Sequence, residues 1–372
     1  MPTAHGLAAS KIAYSFVVAI LCVVASSCGH SEASPPAPSM EVVMQAVHDY
    51  GRGHQSSVLP PPSPIPQETD EGYKAKVREA LLTSNFAQLE KMAQQNRMER
   101  GLVLGGAWKN NDFYDELATP ASSGEPTDDD YQNRISRLNP WRSAYPDSAA
   151  ALIALSRLYT NYAFFARGDG TADSVSSSSW RLYNDRNILA ENYLLAAAGL
   201  KERDDHWYEA MQQVAFQIGW DKQDALELLN QAVAFEPSYF HYYRQYAEYL
   251  RPQWYGDPGD IVHFAEKASL QIPDPEGSIL YFRITGSLAC NCQPQIADLP
   301  GLDWPKFKSG YSDVTRLYGP DNTYANRLAF VAYKLGDKTT AQQAFASVDH
   351  MEMGVWWGPH TFANARDWAN QP

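Results

Sequence analysis

Apolar residues recur at helical spacing along most of this chain. From Asp70 onward the pattern predicts two packed helices, with Leu81 before a break at Ser84-Asn85 and Leu89 after it. A further helix should start at the residues PDS at 146–148, and a later long helix is predicted with one apolar face. That face comprises Tyr183, Asn187, Ala190, Leu194 and Ala197. The acidic residues 125–130 are interpreted as a loop. No segment shows the sustained alternation of a strand, so the pattern predicts an all-α fold.

The helical pattern also repeats. Ala225, Leu229, Ala232 and Pro237 recur as Ile261, Ala265, Ala268 and Pro273, a shift of 36 residues. The helices before them also correspond, with Trp207, Ala210, Met211 and Val214 matched by Tyr243, Tyr246, Ala247 and Leu250. A third copy comprises Leu328, Ala329, Gly336, Asp337, Ala341, Phe345 and Val348. These positions resemble the tetratricopeptide repeat, a helix-turn-helix unit of about 34 residues. The resemblance implies helical hairpin repeats stacked as a short solenoid.

The N-terminus has the pattern of an export signal. Lys11 precedes an apolar run over residues 12–25, which is shorter than the roughly 20 residues that cross a bilayer. The residues ASSC at 25–28 resemble the lipobox of bacterial lipoproteins, which implies cleavage of a signal peptide over 1–27 and acylation of Cys28. Ordinary secretion is the alternative, because Ala25 and Ser27 also suit the general signal peptidase.

The residues after Cys28 have the composition of a tether. A Pro-rich stretch at 29–39 and a second one at 60–66 flank a predicted short helix over 40–50. We therefore predict a lipid-attached tether over 28–69 and one helical-repeat domain over 70–372. Gly29 is not Asp, which by resemblance to bacterial lipoproteins favours the outer over the inner membrane.

Charge and cysteine content restrict the candidate chemistry. The net charge of -13 repels nucleic acid, which argues against a nucleic-acid partner. Of the four cysteines, Cys22 lies in the leader, and acylation of Cys28 would leave Cys290 and Cys292 as one candidate disulfide. Metal binding by that pair and inert thiols are the alternatives. The pair lacks neighbouring ligands, so neither a metal site nor a cofactor is predicted.

Other candidate motifs have plainer interpretations. The residues DDHWYE at 204–209 combine carboxylates with an imidazole, but Ala210 occupies the position where a zincin needs its second histidine. Asp204 or Asp205 is therefore expected to cap a helix, with His206 and Glu209 on one of its faces. Gly105 and Gly106 are not followed by the Lys-Ser or Lys-Thr of a phosphate loop, so nucleotide binding is rejected there.

Tyrosines are concentrated in the second repeat. Tyr239, Tyr242 and Tyr249 are candidate partner-binding residues, since helical solenoids bind peptides on a concave surface. Core packing is the alternative, because aromatic residues at helical spacing usually lie inside a protein.

A second resemblance covers residues 73–288. The motifs PDSA at 146–149, NYAFFARG at 161–168, WY at 207–208 and WYGDPGD at 254–260 are similar to an uncharacterised bacterial family, domain of unknown function 4034. The resemblance implies helical repeats and transfers no catalytic residues. We therefore expect a membrane-tethered scaffold, or a protein- or peptide-binding lipoprotein, without enzymatic activity. The alternative is an envelope enzyme, such as a hydrolase with carboxylates dispersed along the chain.

Overall fold

The computed structural model describes residues 36–54, 56–122, 124–288, 301–356 and 358–371. The predicted signal peptide, Cys28, Cys290 and Cys292 lie outside these ranges. The regular structure of the described residues is helical, with one isolated bridge between Leu102 and Trp108, so the all-α prediction is confirmed. In this part of the chain no helix is long and apolar enough to cross a membrane.

Seventeen α-helices are described, with a short 3-10 helix at Ala172–Ser174 between the sixth and seventh. The first eight are α1 (Met40–Tyr50), α2 (Asp70–Leu82), α3 (Phe86–Glu99), α4 (Lys109–Ala118), α5 (Asp128–Ala144), α6 (Ala149–Arg167), α7 (Ser177–Ala198) and α8 (His206–Ile218). The others are α9 (Lys222–Phe235), α10 (His241–Tyr249), α11 (Asp260–Ser269), α12 (Glu276–Leu288), α13 (Trp304–Tyr318), α14 (Asn322–Leu335), α15 (Lys338–Phe345), α16 (Met353–Trp356) and α17 (Pro359–Asn370).

The chain divides into two compact units, where the sequence predicted one domain over 70–372. Unit 1 contains the described residues up to His54, together with Ala75–Glu99 and Phe113–Trp220. Unit 2 contains Gln55–Lys74, Arg100–Asp112 and Asp221–Pro372. Both units are thus assembled from separate segments of the chain. Helical spacing cannot reveal this interleaving, because it reports only on neighbours within one helix.

In unit 1, α6 and α7 form the most closely packed helix pair. The Ser148 side chain accepts a hydrogen bond from the Ala151 amide at 3.1 Å and so caps α6, as predicted. Gly168, in the left-handed region with a φ of 71°, ends the same helix. The five residues predicted on one face of α7 are all buried, which confirms that face.

The predicted short helix α1 has the predicted bounds but is not a free part of a tether. Its residues Val43, Val47 and Tyr50 are buried. The Tyr50 ring stacks on Trp207 with 4.1 Å between the ring centroids, and the Tyr208 hydroxyl donates to the Val47 carbonyl at 2.9 Å. The folded part therefore begins at α1 instead of near Asp70.

The acidic stretch interpreted as a loop is in part the start of a helix. Asp128, Asp129 and Asp130 form the first turn of α5. Thr127 and Asp130 form a reciprocal capping box, in which each side chain accepts from the backbone amide of the other. Carboxylates stabilise a helix start because they lie at the positive end of its dipole.

In unit 2 the predicted repeat positions on the helices are buried. Ala225, Leu229 and Ala232 of α9 are buried, as are their counterparts Ile261, Ala265 and Ala268 of α11. Helices α14 and α15 pack as a hairpin around Gly336, whose φ of 72° permits the turn. Helices α12 and α13 approach closely at Gly310, where an added Cβ would lie 2.2 Å from the Ser278 carbonyl oxygen.

Candidate functional site

A partly open cavity with a volume of about 50 Å³ lies within unit 2. Its walls are mostly aliphatic and aromatic, with the rings of Trp108, Phe240, Tyr243 and Tyr318 among them. A volume of this size holds about three or four water molecules. Two charged residues of one helix, Glu276 and Arg283, also line the cavity.

Arg283 is a buried cation, with 6% of its surface exposed. Its Nη2 donates to the carbonyl oxygens of Gly105 at 3.3 Å and Gly106 at 3.1 Å. The guanidinium lies 4.1 Å from the ring centroid of Phe240 and 5.1 Å from that of Tyr318. Its Nε is buried without a hydrogen-bond partner, and no carboxylate of a described residue lies within 4.0 Å. The guanidinium therefore has neutral hydrogen-bond partners and forms no ion pair within 4.0 Å in the described part of the chain, although the Asp321 carboxylate is near enough to interact with it electrostatically.

The loop that contacts Arg283 requires glycine. Gly105 and Gly106 have φ values of 83° and 80°, which residues with a Cβ rarely adopt. A Cβ on Gly106 would also lie 2.6 Å from the Arg283 Nη2. The loop presents carbonyl oxygens to a cation, whereas a phosphate loop presents amides to an anion. The geometry therefore agrees with the rejection of a phosphate loop at these glycines.

Glu276 is the half-buried first residue of α12. Its Oε1 accepts a hydrogen bond from the Tyr318 hydroxyl at 2.8 Å, and no cation of a described residue lies within 4.0 Å of it. Burial, and secondly the Glu276 charge, raises the pKa of Tyr318 well above its ordinary value. Tyr318 consequently stays protonated near neutral pH and remains a donor to this carboxylate.

One wall of the cavity comes from the segment predicted to be a tether. Val58, Leu59 and Pro60 line the cavity, and the Leu59 amide donates to the Ser238 Oγ at 2.6 Å. The Ser56 hydroxyl donates to Glu236, a buried carboxylate that also pairs with Arg100 at 2.7 Å. These contacts hold the extended segment against the folded part of unit 2.

The predicted cluster at 204–209 is a buried structural element of unit 1. Asp204 accepts from the Tyr114 hydroxyl at 2.7 Å and from the His206 amide at 2.9 Å, and Arg97 lies 3.5 Å away. The expected helix cap is therefore confirmed for Asp204, while the Asp205 side chain makes no capping bond. His206 and Glu209 share a face of the helix as predicted, with 3.1 Å between His206 Nδ1 and Glu209 Oε2, but both side chains are fully buried.

The three candidate partner-binding tyrosines lie in the core. Tyr239 and Tyr242 are fully buried, and Tyr249 is 4% exposed. The Tyr239 ring packs edge-on against Trp108 with 5.0 Å between the centroids, and Tyr249 stacks on Tyr255 at 4.5 Å. This corrects their assignment to an exposed concave surface and agrees with the alternative of core packing.

Cys28, Cys290 and Cys292 lie outside the described residues. Within those residues no group of three or more metal-binding side chains is present.

Sequence reasoning missed Arg283, although one signal was available. The residue is a single charge within the apolar run ILYFRI at 279–284. Charged residues are almost never fully buried unless they are paired, so a lone arginine in such a run indicates a special environment.

Comparisons with protein-family models, with characterised proteins and with solved structures found no match to this chain.

Proposed function

We propose that this protein is an exported, lipid-tethered helical binding protein, and that its ligand occupies the cavity beside Arg283. The observation that carries the proposal is the buried guanidinium without an ion-pair partner within 4.0 Å among the described residues. Removing a charge from water costs several kcal/mol, and neutral hydrogen-bond partners offset only part of that cost. A negatively charged group of a ligand in the cavity would supply the missing partner.

The lining of the cavity supports binding over catalysis. It provides a cation, a carboxylate and aromatic walls, which are groups that orient a ligand. Ser238 contributes a hydroxyl to the lining, and its Oγ accepts a hydrogen bond from the Leu59 amide. Among the described residues, no imidazole lines the cavity to activate that hydroxyl. The hydrolase alternative therefore gains no support from this site.

The repeat pattern suggests how the helices around the site are organised. The hairpin of α14 and α15 and the buried small residues of α9 and α11 support tetratricopeptide-like units stacked as a short solenoid. A protein or peptide partner on the surface of such a solenoid remains part of the proposal. The lipobox at Cys28 would hold both functions at a membrane surface, with the outer membrane favoured.

The proposal is tested on the mature protein extracted from membranes with detergent. Mass spectrometry should show a lipid on an N-terminal Cys28, and calorimetry should detect carboxylate-containing small molecules that bind in a manner dependent on Arg283. Arg316→Gln is a matched control, because Arg316 is exposed and its carboxylate partner Asp313 lies within its own helix. An unmodified Cys28 would refute the anchor. Carboxylates that bind Arg283→Gln as well as the native protein would refute the site.

A further inference from the structure

The cavity contains two opposite charges that do not pair with each other. Glu276 and Arg283 both line it, yet their charged atoms are more than 4.0 Å apart, the limit for an ion pair. Neither residue forms an ion pair within 4.0 Å with another described residue, although Asp321 lies near enough to interact electrostatically with Arg283. The free-energy cost of removing each charge from water is therefore not offset by an ion pair.

The helix fixes the spacing of these charges. Glu276 and Arg283 are seven residues apart on α12, which places them on one face about 10.5 Å apart along the helix axis. Because both side chains line one cavity and their charged atoms are more than 4.0 Å apart, a small molecule in the cavity can contact both. A ligand with a carboxylate alone would leave Glu276 without a counter-charge, and a ligand with an ammonium alone would leave Arg283 without one.

The donor atoms of Arg283 indicate which end of such a ligand it would bind. Its Nη2 donates to the carbonyl oxygens of Gly105 and Gly106, and its Nε is buried and does not face the cavity. Nη1 makes no hydrogen bond with a described residue and is the nitrogen that remains for a ligand. A guanidinium with donors left over favours a carboxylate as its partner. On Glu276, one carboxylate oxygen accepts from Tyr318 and the other makes no hydrogen bond with a described residue, so it can accept from an ammonium group.

Size and polarity narrow the ligand further. Three or four waters occupy about 100 Å³ of liquid, which is close to the size of a small amino acid. The apolar and aromatic walls favour a short apolar side chain over a polar one. We infer that the cavity binds a small zwitterion, an α-amino acid of the size of alanine, with its carboxylate on Arg283 and its ammonium on Glu276. This inference rests on the proposed ligand site and adds the chemical class of the ligand.

The test is calorimetry on the full mature protein with four probes: L-alanine, propionate, ethylamine and the dipeptide dialanine. Alanine should bind at least about tenfold more tightly than either single-charge probe, because each lost charge pair is worth about 1.4 kcal/mol or more. Dialanine should bind more weakly than alanine, since it exceeds the cavity. A tighter complex with dialanine would overturn the free amino acid as the ligand and point to a peptide end.

Two variants separate the inference from the proposed function. Arg283→Gln should weaken alanine and propionate alike, whereas Glu276→Gln should weaken alanine at least about tenfold and leave propionate unchanged or tighter. Propionate binding as tightly as alanine, with dependence on Arg283, would overturn the zwitterion and keep the anion site. Absence of binding by all four probes would overturn both. Circular dichroism of each variant establishes that it is folded, and Arg316→Gln should bind all probes as the native protein does.

Discussion

The two units of this protein differ in the partners that surround their buried charges. In unit 1, the fully buried Asp204 has a hydroxyl, a backbone amide and a guanidinium as partners. In unit 2, the buried Arg283 has two carbonyl oxygens and two aromatic rings but no carboxylate within 4.0 Å among the described residues. A buried charge with a full set of partners stabilises a fold, whereas a buried charge beside a cavity with an incomplete set is suited to a ligand.

A third buried charge shows why the residue type matters. Glu191 of α7 in unit 1 is buried and has no ion pair within the described part of the chain. Burial raises its pKa to about 7, so a carboxyl group can relieve the cost by binding a proton. Arginine has no such route, because its guanidinium stays charged in proteins. An unpaired Arg283 is therefore a stronger indication of a missing partner than an unpaired Glu191.

The largest expected effect is on the free energy of unfolding, when Asp204 of unit 1 is replaced. Asp204→Ala removes the acceptor of the Tyr114 hydroxyl and the His206 amide and leaves the half-buried charge of Arg97 with less compensation. We expect a loss of about 3–5 kcal/mol in the free energy of unfolding, measured by urea denaturation. Asp169→Asn, at an exposed loop position, is the control. A loss below about 1 kcal/mol would contradict a structural role for Asp204.

The second effect depends on pH. The folded-state pKa of Glu191, about 7, lies above its ordinary value of 4.5, so the folded protein binds the extra proton between these values. Stability should therefore fall as the pH rises from 4.5 to about 7. Glu191→Gln should remove that loss, with a gain of about 3 kcal/mol at pH 8 and almost none at pH 4. Equal effects of the substitution at both pH values would show that burial does not raise the pKa of Glu191.

The third effect tests whether the cavity depends on the close packing of α12 against α13. Gly310→Ala places a Cβ 2.2 Å from the Ser278 carbonyl oxygen and 2.6 Å from the Phe282 Cβ, both on α12, the helix that carries Glu276 and Arg283. Helix α12 must shift, at a cost of about 1–3 kcal/mol in stability and with weaker binding of alanine. Gly354→Ala is the control, because nothing lies within 4 Å of its added Cβ. If both variants behave alike, close packing at Gly310 is not required.

The sequence predicted local features more reliably than tertiary ones. Met40–Tyr50 was found because its apolar residues follow the helical period, and Ser148 because a hydroxyl before an apolar run caps helices. Helix α5 was missed because its acidic first turn has the composition of a loop. Tyr239 was misplaced because spacing identifies a face of a helix but not what covers that face.

The candidate site was harder to predict for the same reason. Its parts come from residues 58–60, the segment 102–108, helices α10, α12 and α13, and the turns before α10 and α12. These segments are distant in sequence, and only tertiary packing brings them together. By contrast, the residues at 204–209 drew attention because their charges are adjacent in the sequence, although the folded chain buries them as a helix cap.

The smallest effect on stability is expected at Arg283. Arg283→Met replaces the buried cation with an apolar side chain, and a substitution of this kind at a charge without an ion pair is expected to change stability by less than about 1 kcal/mol. With alanine at a hundred times the dissociation constant of the native protein, the native protein should gain about 2.7 kcal/mol and the variant, which binds at least about tenfold more weakly, no more than about 1.4 kcal/mol. Urea denaturation of both proteins with and without alanine measures all four values. A loss above about 2 kcal/mol without alanine, together with an equal response of both proteins to alanine, would show that Arg283 is structural and does not bind the ligand.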